Sequence, residues 1–173
     1  MTPPDRQPVL NGTLVQLRPT VAADFDALFA VAADPLIWAV HPAHDRWQEP
    51  VFRAFFDAGL ASGGALTILD RATGAVIGSS RYDNWLPDAD EIEIGWTFIA
   101  RSHWGGTYNR EIKRLMLDHI HRFVGTATFM VGADNIRSRR AMEKIGGILR
   151  DGTHQRLMAG EMKPHVVYEI ARP

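Results

Sequence analysis

An α/β domain built on a mixed sheet is the fold class this sequence predicts, and three observations carry it. Residues 65–70, 75–82 and 91–99 read as three strands in succession with no helix between them, an antiparallel run. After them the pattern changes to helix, strand, helix, strand, strand, which brings in parallel pairing. Two amphipathic helices precede the whole series, so helices cover both faces of a sheet of about six to seven strands. With 173 residues the chain is expected to form one domain with a substantial core.

In chain order, residues 1–12 lack the apolar core of a signal peptide and read as a short disordered lead. The domain is then 13–173. Thr13 to Arg18 alternates as a short strand and is stopped by Pro19. Asp24 to Ala33 places Phe25, Leu28, Phe29 and Ala32 on one helical face, with Pro35 just beyond. Ile37 to Trp47 is an aromatic, histidine-containing loop without a period. Val51 to Ala61 is a second amphipathic helix, closed by Ser62-Gly63-Gly64. Ala65–Asp70 and Ala75–Tyr82 form a hairpin about Arg71–Gly74, and Glu91–Ile99 alternates as the next strand. A glycine turn leads to a helix carrying Ile112, Leu115, Met116, His119, Ile120 and Phe123 on one stripe. Ala127–Val131 is a strand, and Ile136–Ile145 a short helix stopped by Gly146-Gly147. Ile148–Leu157 and Lys163–Ala171 close the domain as two strands, and the last leaves an edge that allows a monomer or a homodimer.

Composition narrows the function. Apolar residues make up 46% and charged residues 23%, and the net charge is −1, so nothing pulls the chain toward nucleic acid or an anionic membrane. No apolar run approaches a membrane span. The absence of cysteine excludes disulfides, thiol catalysis and cysteine-ligated metal, and suits the cytoplasm. The seven histidines form no metal-ligand spacing, so no metal is expected.

The stretch with most chemical content is Trp104-Gly105-Gly106-Thr107-Tyr108-Asn109-Arg110, between a strand and a helix. The first amides of a helix have no intrahelical acceptor, and the dipole there favours negative charge. Glycines let a ligand approach the backbone, so this is either a phosphate cradle or a plain connection. Arg110 adds positive charge or is a solvated surface residue. In the Glu91–Ile99 strand, strict alternation puts Ile92, Ile94, Trp96 and Phe98 on one face and Glu91, Glu93, Gly95, Thr97 and Ile99 on the other. Carboxylates inside a sheet need water or a partner. Glu93 then either accepts a proton from an amine in a wet cleft, with Gly95 leaving room for substrate, or holds a neighbouring cation. Trp38, His41 and Trp85 are candidates for lining an acceptor pocket, and the alternative is that they seal a loop over the core.

The glycine turn together with Asn135-Ile136-Arg137-Ser138-Arg139-Arg140-Ala141-Met142-Glu143-Lys144-Ile145-Gly146-Gly147 resembles the GCN5-related N-acetyltransferase (GNAT) superfamily, in its RimJ/RimL-like branch. Trp104-Gly105-Gly106-Thr107-Tyr108-Asn109-Arg110-Glu111 and Leu17-Arg18-Pro19 are similar to segments of that branch. The resemblance implies a splayed parallel strand pair, 91–99 and 127–131, around the pantetheine arm of acetyl-CoA, with Phe98 and Ile99 against the cofactor. It implies that Trp104, Gly105, Gly106, Thr107, Tyr108 and Asn109 hold the diphosphate, that Asn135 bonds the pantetheine, and that Arg139 reaches the 3′-phosphate. Asn135 also suits the N-cap of its helix, and Arg139 also fits an exposed basic face. Many relatives protonate the departing thiolate with a tyrosine where this chain has Met142, and Ser138 is the residue the branch offers instead. The implied activity is acetyl transfer from acetyl-CoA to a primary amine, either a protein N-terminus or a small molecule. The alternative is a CoA-binding module of the same fold that transfers nothing.

Overall fold

The computed structural model describes residues 2–173. Its strands and helices, in order, are β1 (Leu10–Asn11), β2 (Val15–Pro19), α1 (Phe25–Ala32), α2 (Pro35–Trp38), α3 (Glu49–Ser62), β3 (Ala65–Asp70), β4 (Val76–Leu86), β5 (Glu91–Ile99), α4 (Thr107–Ile120), β6 (Thr126–Gly132), α5 (Ile136–Lys144), β7 (Ile148–Leu149), β8 (His154–Met158) and β9 (Glu161–Ala171). They form a single mixed sheet in the order β1-β2-β3-β4-β5-β6-β9-β7, with β8 also on β9. The nine strands exceed the expected six to seven for two reasons. The lead contributes β1, and the expected 148–157 strand breaks into β7 and β8 around Gly152, whose φ of 96° no strand residue adopts.

Residues 2–12 correct the expectation of a disordered lead. Leu10 and Asn11 pair with Leu17 and Gln16, and the Asp5 carbonyl lies 2.7 Å from His119 Nε2 on α4. The next loop is held by Glu111, whose carboxylate accepts from the amides of Thr13, Leu14 and Val15 at 2.7–2.9 Å. Charge-assisted bonds of this kind contribute about 1.5–3 kcal/mol each. They also keep the carboxyl below its ordinary range even though burial acts the other way. Glu111 thus ties the start of α4 to the first long strand.

Two apolar clusters flank the sheet. On one side Phe25, Leu28, Trp38, Phe52, Phe56 and Phe98 pack under α1–α3. On the other, Ile92, Ile94 and Ile99 meet Ile112, Met116 and Ile120 of α4, with Met142 of α5 in the same cluster. β5 therefore contributes to both. The switch is a bulge: Arg81 pairs with Gly95 but Ser79 pairs with Phe98, so two β5 residues oppose one on β4. Trp96 sits there at φ 52°, a left-handed conformation that costs a bulky residue about 1–3 kcal/mol. The bulge corrects the strict alternation read from sequence. Past it, Thr97 and Ile99 join the α4 side and Phe98 turns to α1–α3.

β5 and β6 are parallel, and they pair only at Glu91–Thr126, Ile92–Ala127 and Glu93–Thr128. β5 continues to Ile99 and β6 to Gly132 without pairing to each other. The two strands open into a wedge. Its wide end lies between the start of α4 and the start of α5.

Candidate active site

The turn after β5 is anchored by its side chains and by the His103 and Trp104 amides, which donate to the Ala100 and Arg101 carbonyls. Arg101 Nε bonds Asp34. His103 joins Asp70 at 3.0 Å and Ser102 at 2.8 Å, and its ring meets Tyr108 edge-on. Trp104 Nε1 donates to the Ile99 carbonyl at 2.9 Å, and the Arg137 guanidinium lies over the Trp104 ring at 3.9 Å. Gly105 and Gly106 have φ of 118° and 97°, and a Cβ on either would meet no atom within 4 Å. Gly106 caps α4 with no side-chain hydrogen bond. The result is open space over free amides at a helix start, which suits a diphosphate by charge. Thr107, Tyr108, Asn109 and Arg110 form the first turn of that helix, with Arg110 exposed.

The expected cofactor residues divide into those the fold brings to this wedge and those it does not. Asn135 is buried beside the end of β6, and its Oδ1 accepts from the Ser138 amide at 3.2 Å as the α5 N-cap. Its amide nitrogen has no protein partner among the described residues and stays available to a ligand carbonyl. The side chains of Phe98 and Ile99 lie in the two cores, so only their backbone can face a cofactor. Arg139, expected at the 3′-phosphate, has protein partners. Its Nε donates to Tyr168 Oη at 3.2 Å and its Nη1 to the Ala133 carbonyl at 3.1 Å, turned toward β9. The cation next to the cradle is Arg137, which reading α5 as a uniform basic face concealed.

Glu93 is buried, and both of its protein partners use one oxygen. Oε2 accepts from Asn84 Nδ2 at 2.6 Å and from Arg156 Nη2 at 2.8 Å. Oε1 has no protein partner among the described residues, and the position a Gly95 Cβ would take is 3.6 Å from it with nothing else within 4 Å. The ion pair and the open face over Gly95 therefore coexist. Ser138 lies half-buried in the first turn of α5.

The three aromatic candidates do not converge on a pocket. Trp38 is 1% exposed, donates to the Ala32 carbonyl at 2.8 Å and packs on Phe98. His41 Nδ1 accepts from the Ala43 amide, and burial next to Arg46, Arg137 and His165 pushes its imidazole down to about 3, so it is neutral. Trp85 packs on the α4-side core, and its Nε1 is buried without a partner among the described residues. Trp38 is a core residue, and Trp85 is partly buried against the α4-side core. The open space lies elsewhere. A cleft of about 520 Å³ separates the 43–51 segment and α3 from the β8–β9 turn, lined among others by Asp45, Arg46, Phe55, Leu157 and Met158. Met158 and Arg156 share a face of β8, so the cleft adjoins the row that holds Glu93.

Sequence reading also missed Lys113. Its Nζ donates to Thr97 Oγ1 at 2.6 Å, Thr97 Oγ1 lies 2.8 Å from Ser80 Oγ, and the residue is 3% exposed. Burial alone lowers its ammonium to about 7. The signal was its spacing, three residues before Met116 and seven before Ile120, at the border of the apolar stripe. Among the described residues no group of three or more side chains is placed to hold a metal, and no helix is long and apolar enough to cross a membrane.

Residues 15–148 match the model of the acetyltransferase (GNAT) domain. No curated protein matches the sequence. Among solved structures, a GCN5-related N-acetyltransferase from Brucella melitensis superposes with a TM-score of 0.82 at 19% identity, covering 95% of this chain and 79% of that one. Spermidine N-acetyltransferase from Vibrio cholerae, in complex with CoA and spermine, gives 0.71 at 13% identity over 92% and 96% of the two chains. RimL, a ribosomal alpha-N-protein acetyltransferase in complex with coenzyme A, gives 0.76 at 13% identity over 95% and 98%.

Proposed function

The chain belongs to the GNAT acetyltransferase family, and on that premise we propose that it transfers the acetyl group of acetyl-CoA directly to a primary amine, the α-amino group of a peptide in preference to a polyamine. The observation that carries this reading is the pairing of an open amide cradle with a strand wedge that starts at Glu93. Acetyl-CoA supplies the activated acetyl group. The amides from Gly105 to Asn109, with Arg137 beside them, hold its diphosphate, and Asn135 Nδ2 bonds the pantetheine. A backbone N–H of β5 is assigned the thioester oxygen as it gains charge.

Glu93 is assigned the proton of the attacking amine, at Oε1. Arg156 and Asn84 hold the carboxylate through its other oxygen, and Gly95 leaves room for the nucleophile. An α-amino group, with a pKa near ~8, is partly neutral at pH 7, so a carboxylate base suffices. Ser138 is assigned a hydrogen bond to the departing sulfur. The cleft favours a peptide because a polyamine calls for several carboxylates. Asp45 is the carboxylate among the lining residues, Arg46 stands next to it, and Phe55, Leu157 and Met158 are apolar.

Thiol release from acetyl-CoA, measured against a peptide, an amino-acid amide and spermidine, tests the proposal. Turnover is expected with the peptide above the others. Acetyl-CoA binding without thiol release from any amine would instead mark the chain as a CoA-binding module.

A further inference from the structure

Lys113 is a buried cation that no part of the fold requires. It projects from the second turn of α4 into the wedge, past the last β5–β6 pair, where Nζ reaches Thr97 Oγ1 on β5 and lies 5.7 Å from the Phe129 ring on β6. No carboxylate pairs with it among the described residues. Burying an unpaired ammonium costs several kcal/mol, and a methionine would fill the same volume without that cost. Its ammonium is left for a group that enters the wedge.

We propose that Lys113 Nζ delivers the proton to the thiolate that leaves in acetyl transfer, an inference that rests on the function proposed above. The carbonyl carbon–sulfur bond breaks and the sulfur takes the electron pair and a proton from Nζ. The carbon–nitrogen bond forms to the amine, whose own proton passes to Glu93 and from there to solvent, and solvent returns one proton to Lys113. Met142, which packs in the same core, has no proton to give, and the Ser138 hydroxyl is too weak an acid to supply one at neutral pH. The groups that face Nζ are Thr97 from β5, Ser80 behind it on β4, and Phe129 from β6. Tyr82 of β4, in the same core, spends its hydroxyl on the Met116 carbonyl. No acid or second cation acts on Lys113, so its position near neutrality comes from burial, and a proton donor works best near the operating pH. Its four-carbon stem lets the ammonium shift as the pantetheine enters.

Two measurements test this. The first uses the unmodified protein with CoA and follows thiolate absorbance against pH. An ammonium beside the sulfur makes the bound thiol titrate below the thiol of free CoA measured in the same buffer. A bound thiol that titrates at or above the free one would overturn the proposal. The second compares kcat and KM in Lys113→Met, which keeps the packing and removes the charge. We expect kcat to fall about 10²-fold with KM for acetyl-CoA within about threefold, and the CoA thiol to return to its free value. Lys113→Arg should restore the thiol shift but not kcat, because a guanidinium does not release its proton. Equal kcat in Lys113→Met and the unmodified protein would overturn this inference and leave the transferase reading standing. Absence of turnover by the unmodified protein with every amine would overturn both.

Discussion

Gly105→Val is expected to raise the Kd for acetyl-CoA by at least about 10²-fold while the protein stays folded. The branched side chain would occupy the open space over the turn and hold a diphosphate away from the amides of the α4 start. Losing two charge-assisted hydrogen bonds at about 1.5–3 kcal/mol each corresponds to about 10²–10⁴ in affinity. The cost to the fold is smaller. Gly105 has a φ of 118°, which strains valine by about 1–3 kcal/mol, but no atom lies within 4 Å of the new Cβ, so no packing is lost. Titration calorimetry with acetyl-CoA and a thermal melt separate the two effects. Affinity within threefold of the unmodified protein would remove the cradle from the account.

The second large effect is expected from Glu93→Gln. The amide oxygen of glutamine still accepts from Asn84 and Arg156, so the β4–β5–β8 contact survives with the loss of one buried charge partner. Proton acceptance at the position of Oε1 does not survive. We expect kcat/KM for a peptide amine to fall about 10²–10³-fold and the acidic limb of the rate–pH profile to flatten. A profile that superimposes on that of the unmodified protein would leave Glu93 as the anchor of Arg156 and nothing more.

Much of this fold can be read from residues 65–145 alone. β3 and β5 span the expected residues, and α4 and α5 begin after the expected glycine turn and Asn135. Those elements have long, regular periods and strong stop signals. The parallel pairing of β5 with β6 and the helices on both faces follow from their order.

What eluded reading was set by contacts distant in sequence. The β5 bulge puts Trp96, not a glycine, at positive φ, held between the Arg81 and Arg156 guanidiniums at 4.6 and 5.5 Å. Nothing local in Glu91–Ile99 announces it, yet it decides which side Thr97 and Phe98 face. The lead is held by His119 and the loop after it by Glu111, about a hundred residues on. Arg137 and Arg139 are two residues apart on one helix, and only the positions of Trp104 and Tyr168 decide which one faces the cradle. Lys113 reads as an ordinary polar helix residue until the wedge places Thr97 and Phe129 around it. Glu93 reads as either base or ion-pair partner, and the structure pairs Oε2 while Oε1 has no protein partner among the described residues.

Everything proposed for this chain depends on peptide N–H groups at the start of α4 binding a diphosphate. The most direct measurement follows the amide resonances of Gly105, Gly106 and Thr107 in ¹⁵N-labelled protein during titration with CoA and, separately, with pantetheine, which lacks the diphosphate. The account predicts that all three shift with CoA and stay in place with pantetheine. Resonances that ignore CoA, or that move equally with both, would contradict it.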